Sequence, residues 1–132
     1  MSRNQEVVLN ESAFLVSETD AKGNILFAND EFCNVVGYTF QELIGQPHSL
    51  VRHSDMPKVA FQDLWDTVKK DEVWYGFVKN KTKLGGYYWV SAAVYPYKNE
   101  SGDQCYISIR RKASNADIKT HEELYIELKR KE

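Results

Sequence analysis

Hydrophobic and polar positions change rhythm three times along this chain. Residues 14–20 (FLVSETD) and 25–30 (ILFAND) are short runs of aliphatic and aromatic residues, separated by Ala21-Lys22-Gly23-Asn24. Gly and Asn tolerate positive φ, so the pattern predicts a hairpin. The period then lengthens. EFCNVVGYT predicts a short helix stopped at Gly37, and TFQELIG a second one, capped by Thr39 with Glu42 at the capping-box position and ended by Gly45. Residues 46–57 are irregular and polar, carrying His48, Arg52, His53 and Asp55. Pro57 suits the first turn of a longer helix, PKVAFQDLWDTVKKD, along which Val59, Leu64, Trp65 and Val68 approximate an apolar stripe.

From Val73 the rhythm returns to strands. VWYGFVKNKT, YYWVSAAVYPY and CYISIRRK are rich in aromatic and β-branched residues and are separated by Leu84-Gly85-Gly86 and by NESGDQ. The order β-β-α-α-α-β-β-β predicts an α+β domain, a five-stranded antiparallel sheet with helices packed on one face. Residues 116–132 are charged and helix-prone, with Leu124 and Leu128 one turn apart. Such a helix is marginal alone, so it is expected to continue as, or dock onto, another helix.

Composition narrows the function classes. The 132 residues suffice for one domain with one core, and a net charge of -2 gives no general attraction to nucleic acid or anionic lipid. Cys33 and Cys105 stand far apart with no metal-type spacing, which points to reduced thiols in a cytoplasmic setting. No apolar run approaches a membrane span, and no signal-peptide pattern opens the chain. Ser/His/Asp order, phosphate loop and metal-ligand cluster are all missing, so the residues offer no support for an enzyme.

The segments ILFAND, GYTFQELIGQPH, VRHSDMP, FQDLW, VWYGFVKNKTKLGGYYWV and YISIRRKA together resemble the PAS fold, and specifically the flavin-binding PAS domains of the bacterial aerotaxis (energy-taxis) receptor family. The GY…ELIG element is widespread in PAS domains. The combination VRHSDMPK…W…VKNK…YYWV is more specific. The resemblance spans about residues 14–113, with 1–13 as an N-terminal cap and 114–132 as a helical linker to a signalling module. It implies a redox or oxygen sensor holding flavin adenine dinucleotide. It also implies a homodimer whose partner is a chemoreceptor module of HAMP or methyl-accepting type, in cis or in trans. Ser54 departs from the family, which usually has proline there.

An isoalloxazine ring needs an apolar, aromatic pocket with a few placed polar groups. The resemblance assigns Asn80 to its pyrimidine edge, because light-sensing (LOV) flavin domains carry an asparagine eight residues before the aromatic of a pair matched here by Tyr88-Trp89. An amide both donates and accepts. Arg110 aligns with the glutamine that faces the ring's reactive edge in LOV domains. A cation there would stabilise the negative charge left by one-electron reduction. The alternative for Arg110 is a solvent-facing arginine paired with a carboxylate, since Arg111 presents the other face.

Arg52, His53 and Asp55 come from the family as residues needed for the dinucleotide. Arg52 and His53 could meet its pyrophosphate, and Asp55 could instead cap the helix opening at Pro57. Trp65 and Trp74 read either as pocket walls or as core, Trp89 as a ring contact, and Asn29 as a family ligand residue or as turn chemistry. His48 stands where LOV domains carry their photochemical cysteine, which argues against adduct chemistry. Flavin mononucleotide and haem remain the cofactor alternatives, with His48 or His53 as an iron ligand in the second case. A cofactor-free interaction module is the competing function.

Overall fold

Both predicted hairpin systems enter a single sheet. The computed structural model describes residues 5–132, so the first four residues of the N-terminal cap lie outside the described residues. Strands β1 (Leu15–Asp20), β2 (Ile25–Ala28), β3 (Trp74–Lys81), β4 (Tyr87–Lys98) and β5 (Gln104–Lys112) pair in the order β2-β1-β5-β4-β3. Every pairing is antiparallel. Placing β1 beside β5 joins the first hairpin to the later meander, with Leu15 opposite Arg110 and Ser17 opposite Ser108.

Side chains alternate across a strand, so this register sorts them into two faces. Leu15, Ser17, Thr19, Val78, Asn80, Tyr88, Ala92, Val94, Tyr106, Ser108 and Arg110 share the inner face. That face meets α1 (Asp30–Val36), α2 (Phe40–Leu43), a 3-10 turn (His48–Val51) and α3 (Lys58–Lys69). Phe32, Val36, Leu43 and Val51 bring the buried apolar surface of these short elements, and burial of this kind supplies most of their stability.

Local chemistry sets the ends of the helices. Thr39 and Glu42 form the expected capping box, and Gly37 ends α1 in the left-handed conformation at φ 81°. The capping role considered for Asp55 is not found. Pro57 itself is the N-cap of α3 and no side chain caps it. The apolar stripe of α3 also differs from expectation: Val59 is exposed, and Phe61, Leu64, Trp65 and Val68 form the packed series, an i, i+3, i+4, i+7 pattern.

Asn29 is a pin between α1 and β1. Its Oδ1 caps α1 by accepting from the Phe32 N–H at 3.0 Å and also accepts from the Val16 N–H, while its Nδ2 donates to the Phe14 carbonyl. It does not line the cavity described below. An Asn29→Ala domain is expected to lose about 2 kcal/mol of stability. Chemical denaturation would measure it, and a loss within error of zero would refute the pin.

The C-terminal segment forms α4 (Asn115–Arg130), capped by Ser114. It packs on the outer face of this domain's own sheet. Ile118, His121, Tyr125 and Leu128 form its docking stripe, and Leu124 is exposed, so the expected Leu124/Leu128 pair is split. Tyr125 stacks on Trp89 at 6.0 Å and donates from its hydroxyl to the Phe77 carbonyl at 2.7 Å.

Candidate functional site

A cavity opens between the inner face of the sheet and α3, with about 710 Å3 of empty space including its mouth. Phe61, Leu64 and Trp65 of α3 face Trp74, Val78 and Val94 of the sheet across it, and Tyr106 meets Trp65 edge-on at 5.4 Å. Both tryptophans left open by the sequence are therefore cavity walls and packed side chains at once. The Trp74 indole N–H donates to Asp63 Oδ2 at 2.8 Å.

The polar groups of the cavity come from four elements. Asn80 is 3% exposed and donates from Nδ2 to the Tyr88 hydroxyl at 3.3 Å. Its eight-residue separation from Tyr88 is a direct cross-strand pairing through the β3–β4 hairpin. Arg52 stands at the mouth, its guanidinium 3.7 Å from the centre of the Phe61 ring. Ser17 and His48 contribute from β1 and from the 3-10 turn.

Arg110 faces the interior, 3% exposed, and the solvent-facing alternative is thereby corrected. Register is the reason, since Leu15 and Ala92 flank it on the same buried face. Its Nη2 donates to Ser17 Oγ at 2.8 Å and to His48 Nε2 at 2.6 Å, and the guanidinium lies 4.8 Å from the Phe32 ring centre. The Nη1 group is buried without a hydrogen-bond partner. No carboxylate lines the cavity among the described residues. Burial without a counter-ion holds the Arg110 pKa down to about 10.

A guanidinium only donates, so His48 Nε2 must accept, which fixes a neutral ring with its proton on Nδ1. Burial, and then the Arg110 charge, push the His48 pKa down to about 3. The unfolded state, with a pKa near 6.5, therefore binds more protons between those values. Stability from this group is complete above the unfolded pKa and declines on acidification, by about 2 kcal/mol at about pH 5. A His48→Gln domain keeps an acceptor for Arg110 and should lose that slope in urea melts at neutral and acid pH. Identical slopes would refute it. With its Nε2 lone pair held by Arg110, His48 has none free on that nitrogen for iron.

Besides Asn29, three sequence candidates lie off the cavity. His53 and Asp55 point away from it, and Trp89 occupies the outer face beneath α4. Strand alternation explains Trp89: with Tyr88 inward, its neighbour must face outward. Ser17, Phe61 and Tyr106 line the cavity without having been singled out in the sequence. Cys33 lies on α1 and does not reach the cavity. No helix among the described residues is long and apolar enough to cross a membrane.

Comparison with known proteins agrees with this architecture. A family model for the PAS fold matches residues 25–110. The chain is 49% identical to the aerotaxis receptor of Escherichia coli strain K12 over 121 residues, which cover 92% of the chain and 24% of that receptor. It is 31% identical to the nitrogen fixation regulatory protein of Klebsiella oxytoca over 108 residues, 81% of the chain and 22% of the regulator. It thus spans about a quarter of the length of these relatives. Among solved structures, the PAS domain of a Colwellia psychrerythraea protein superposes with a TM-score of 0.68 at 21% identity, covering 76% of this chain and 86% of that one. The light-state LOV domain of the photoreceptor Aureochrome1 gives 0.69 at 17% identity, covering 86% and 88%. Sheet order, helical layer and family match agree, and the chain belongs to the PAS fold family.

Proposed function

We propose that this domain binds a flavin, in its adenine dinucleotide form, and signals the flavin's redox state to a chemoreceptor-type module. One observation carries the reading: an aromatic-walled cavity holds a buried arginine with an unbonded Nη1 and, among the described residues, no carboxylate. A pocket so built suits a flat aromatic ligand that can become negatively charged.

Trp65, Trp74 and Phe61 would form the walls, Asn80 would meet the pyrimidine edge, and Arg52 at the mouth would meet phosphate. Arg110 would balance charge gained on the ring. Bound there, the flavin supplies one- and two-electron chemistry. His48 donates no thiol, and Cys33 lies elsewhere, which supports a redox sensor over a photoadduct former. The similarity to an aerotaxis receptor supports a chemoreceptor-type partner; the proposal takes it to be a HAMP or methyl-accepting module, with a homodimer as the working assembly. Readout would run through the sheet to α4, whose contacts with Phe77 and Trp89 lie one residue from inward-facing Val78 and Tyr88.

A visible spectrum of the purified domain tests this. Oxidised-flavin bands that bleach on reduction are expected. A Soret band would indicate haem instead, and a colourless protein that takes up neither flavin would leave the cofactor-free module.

A further inference from the structure

Beyond Arg52 the loop does not stay at the cavity; it turns around the edge of the sheet. Strand β3 is that edge. Arg52 forms an isolated antiparallel bridge with Asn80, and the following residues close around Lys79 on the opposite side of the strand. The Lys79 carbonyl accepts from the His53 N–H at 3.3 Å, its N–H donates to Met56 Sδ at 3.3 Å, and its ammonium donates to Asp55 Oδ2 at 2.8 Å. The Asp55 N–H in turn donates to His53 Nδ1 at 3.0 Å. The Lys79 Nζ lies 4.5 Å from the centre of the Tyr87 ring, and the His53 ring meets the same tyrosine edge-on at 6.1 Å.

A lysine at the edge of a sheet ordinarily extends its ammonium into water. Lys79 is only 8% exposed, although its partner Asp55 has a side chain 63% exposed. A buried ammonium is unfavourable unless paired and hydrogen-bonded. Here the pairing fixes the far end of the loop, whose near end carries the cavity groups His48 and Arg52.

We infer that Lys79, Asp55 and His53 form a clasp that positions Arg52 and His48 for the ligand. Lys79 is a positioning residue of the cavity although it faces away from it. His53 and Asp55 then serve cofactor retention without touching the cofactor. The inference rests on the proposed flavin reading for its affinity arm only.

The test uses the full 132-residue chain, with Lys79→Met, Lys79→Arg, Arg52→Ala and the Lys79→Met/Arg52→Ala pair. Backbone hydrogen exchange is followed by mass spectrometry, and flavin adenine dinucleotide is titrated into each apo protein. Lys79→Met should speed exchange in residues 50–57 about tenfold relative to the sheet, and should weaken dinucleotide binding about tenfold, as loss of one charge-assisted hydrogen bond brings. Lys79→Arg should restore most of both. In the Arg52→Ala background, Lys79→Met should weaken binding by less than about threefold, because its effect is carried by the loop.

Unchanged exchange in the loop of Lys79→Met overturns the clasp. Multiplicative losses of affinity in the double variant overturn the positioning role. If the parent chain binds neither dinucleotide nor mononucleotide, the flavin reading fails while loop exchange still decides the clasp.

Discussion

Replacing Arg110 with methionine is expected to make the ligand-free domain more stable and the bound flavin harder to reduce. The two effects share one cause. Arg110 is buried with no carboxylate in its cavity among the described residues, and its pKa is held down to about 10, from 12.5. That depression corresponds to a cost of about 3 kcal/mol for keeping the charge inside. Methionine removes the cost and fills similar volume, at the loss of hydrogen bonds to Ser17 and His48. Those two groups retain each other at 3.1 Å, so neither is orphaned. A net gain of about 1–3 kcal/mol should follow, read as a higher urea midpoint. Without the cation, the negative charge of the first electron is less stabilised, and the one-electron potential should fall by at least about 60 mV. The His48 pKa should also move back toward 6.5, since the Arg110 charge helps depress it. An unchanged potential in a variant that still binds flavin would defeat the charge-balancing role. Lower stability would show that the hydrogen bonds outweigh the burial cost.

A buried cation with an unbonded Nη1 on the wall of an aromatic cavity is what separates a ligand site from ordinary core. The same logic explains why some of the site was legible in the sequence. Asn80 was singled out by its resemblance to the LOV asparagine, and the hairpin register makes that eight-residue spacing a cross-strand pair with Tyr88. The capping box at Thr39 was readable because its partners are local. Arg110 and Arg111 could not be separated until β1 was placed beside β5, a pairing between residues nearly a hundred positions apart. Lys79 left no signal, because a lysine beside an asparagine in a strand has the look of a surface residue. His53 and Asp55 adjoin Arg52 in sequence, but the chain rounds the sheet edge between them and the cavity. Trp89 was paired with Tyr88 by adjacency, and alternation puts adjacent strand residues on opposite faces.

The helical layer shows the same division. Val59 reads as apolar and helical but sits in the first turn of α3, outside the packed stripe, and is exposed. The stripe begins at Phe61, which carries the cavity's aromatic wall and the platform for Arg52. For α4, the charged, marginal sequence predicted a helix that continues as, or docks onto, another helix, and the docking found is on a sheet instead. Its partner is the outer face of the sheet, where Trp89 and Phe77 receive Tyr125 and His121. Trp89 keeps a buried indole N–H without an acceptor there.

Gly76 is expected to be as intolerant of a methyl group as any position in the sheet, and the reason lies in Trp74. Residues two apart on a strand share a face, and the Trp74 indole packs against Gly76. A Cβ added at Gly76 would fall 2.3 Å from both Cζ2 and Cη2 of that ring. No side chain accepts such an approach, so the indole must leave its position. Moving it breaks the bond from Nε1 to Asp63, which ties β3 to α3 across the cavity wall. Overpacking of this kind and loss of a charge-assisted bond together should destabilise the domain by about 3 kcal/mol. The displaced ring should also enter the space assigned to flavin, so affinity should fall further than stability alone accounts for. A second substitution separates this from a backbone effect of alanine in the strand. Trp74→Leu leaves room for the new methyl, so Gly76→Ala should cost less than about 1 kcal/mol in that background. Denaturation of the four proteins measures the coupling. An undiminished cost in the Trp74→Leu protein would place the constraint on the backbone at Gly76 and release Trp74 from its role as the wall that this glycine makes room for.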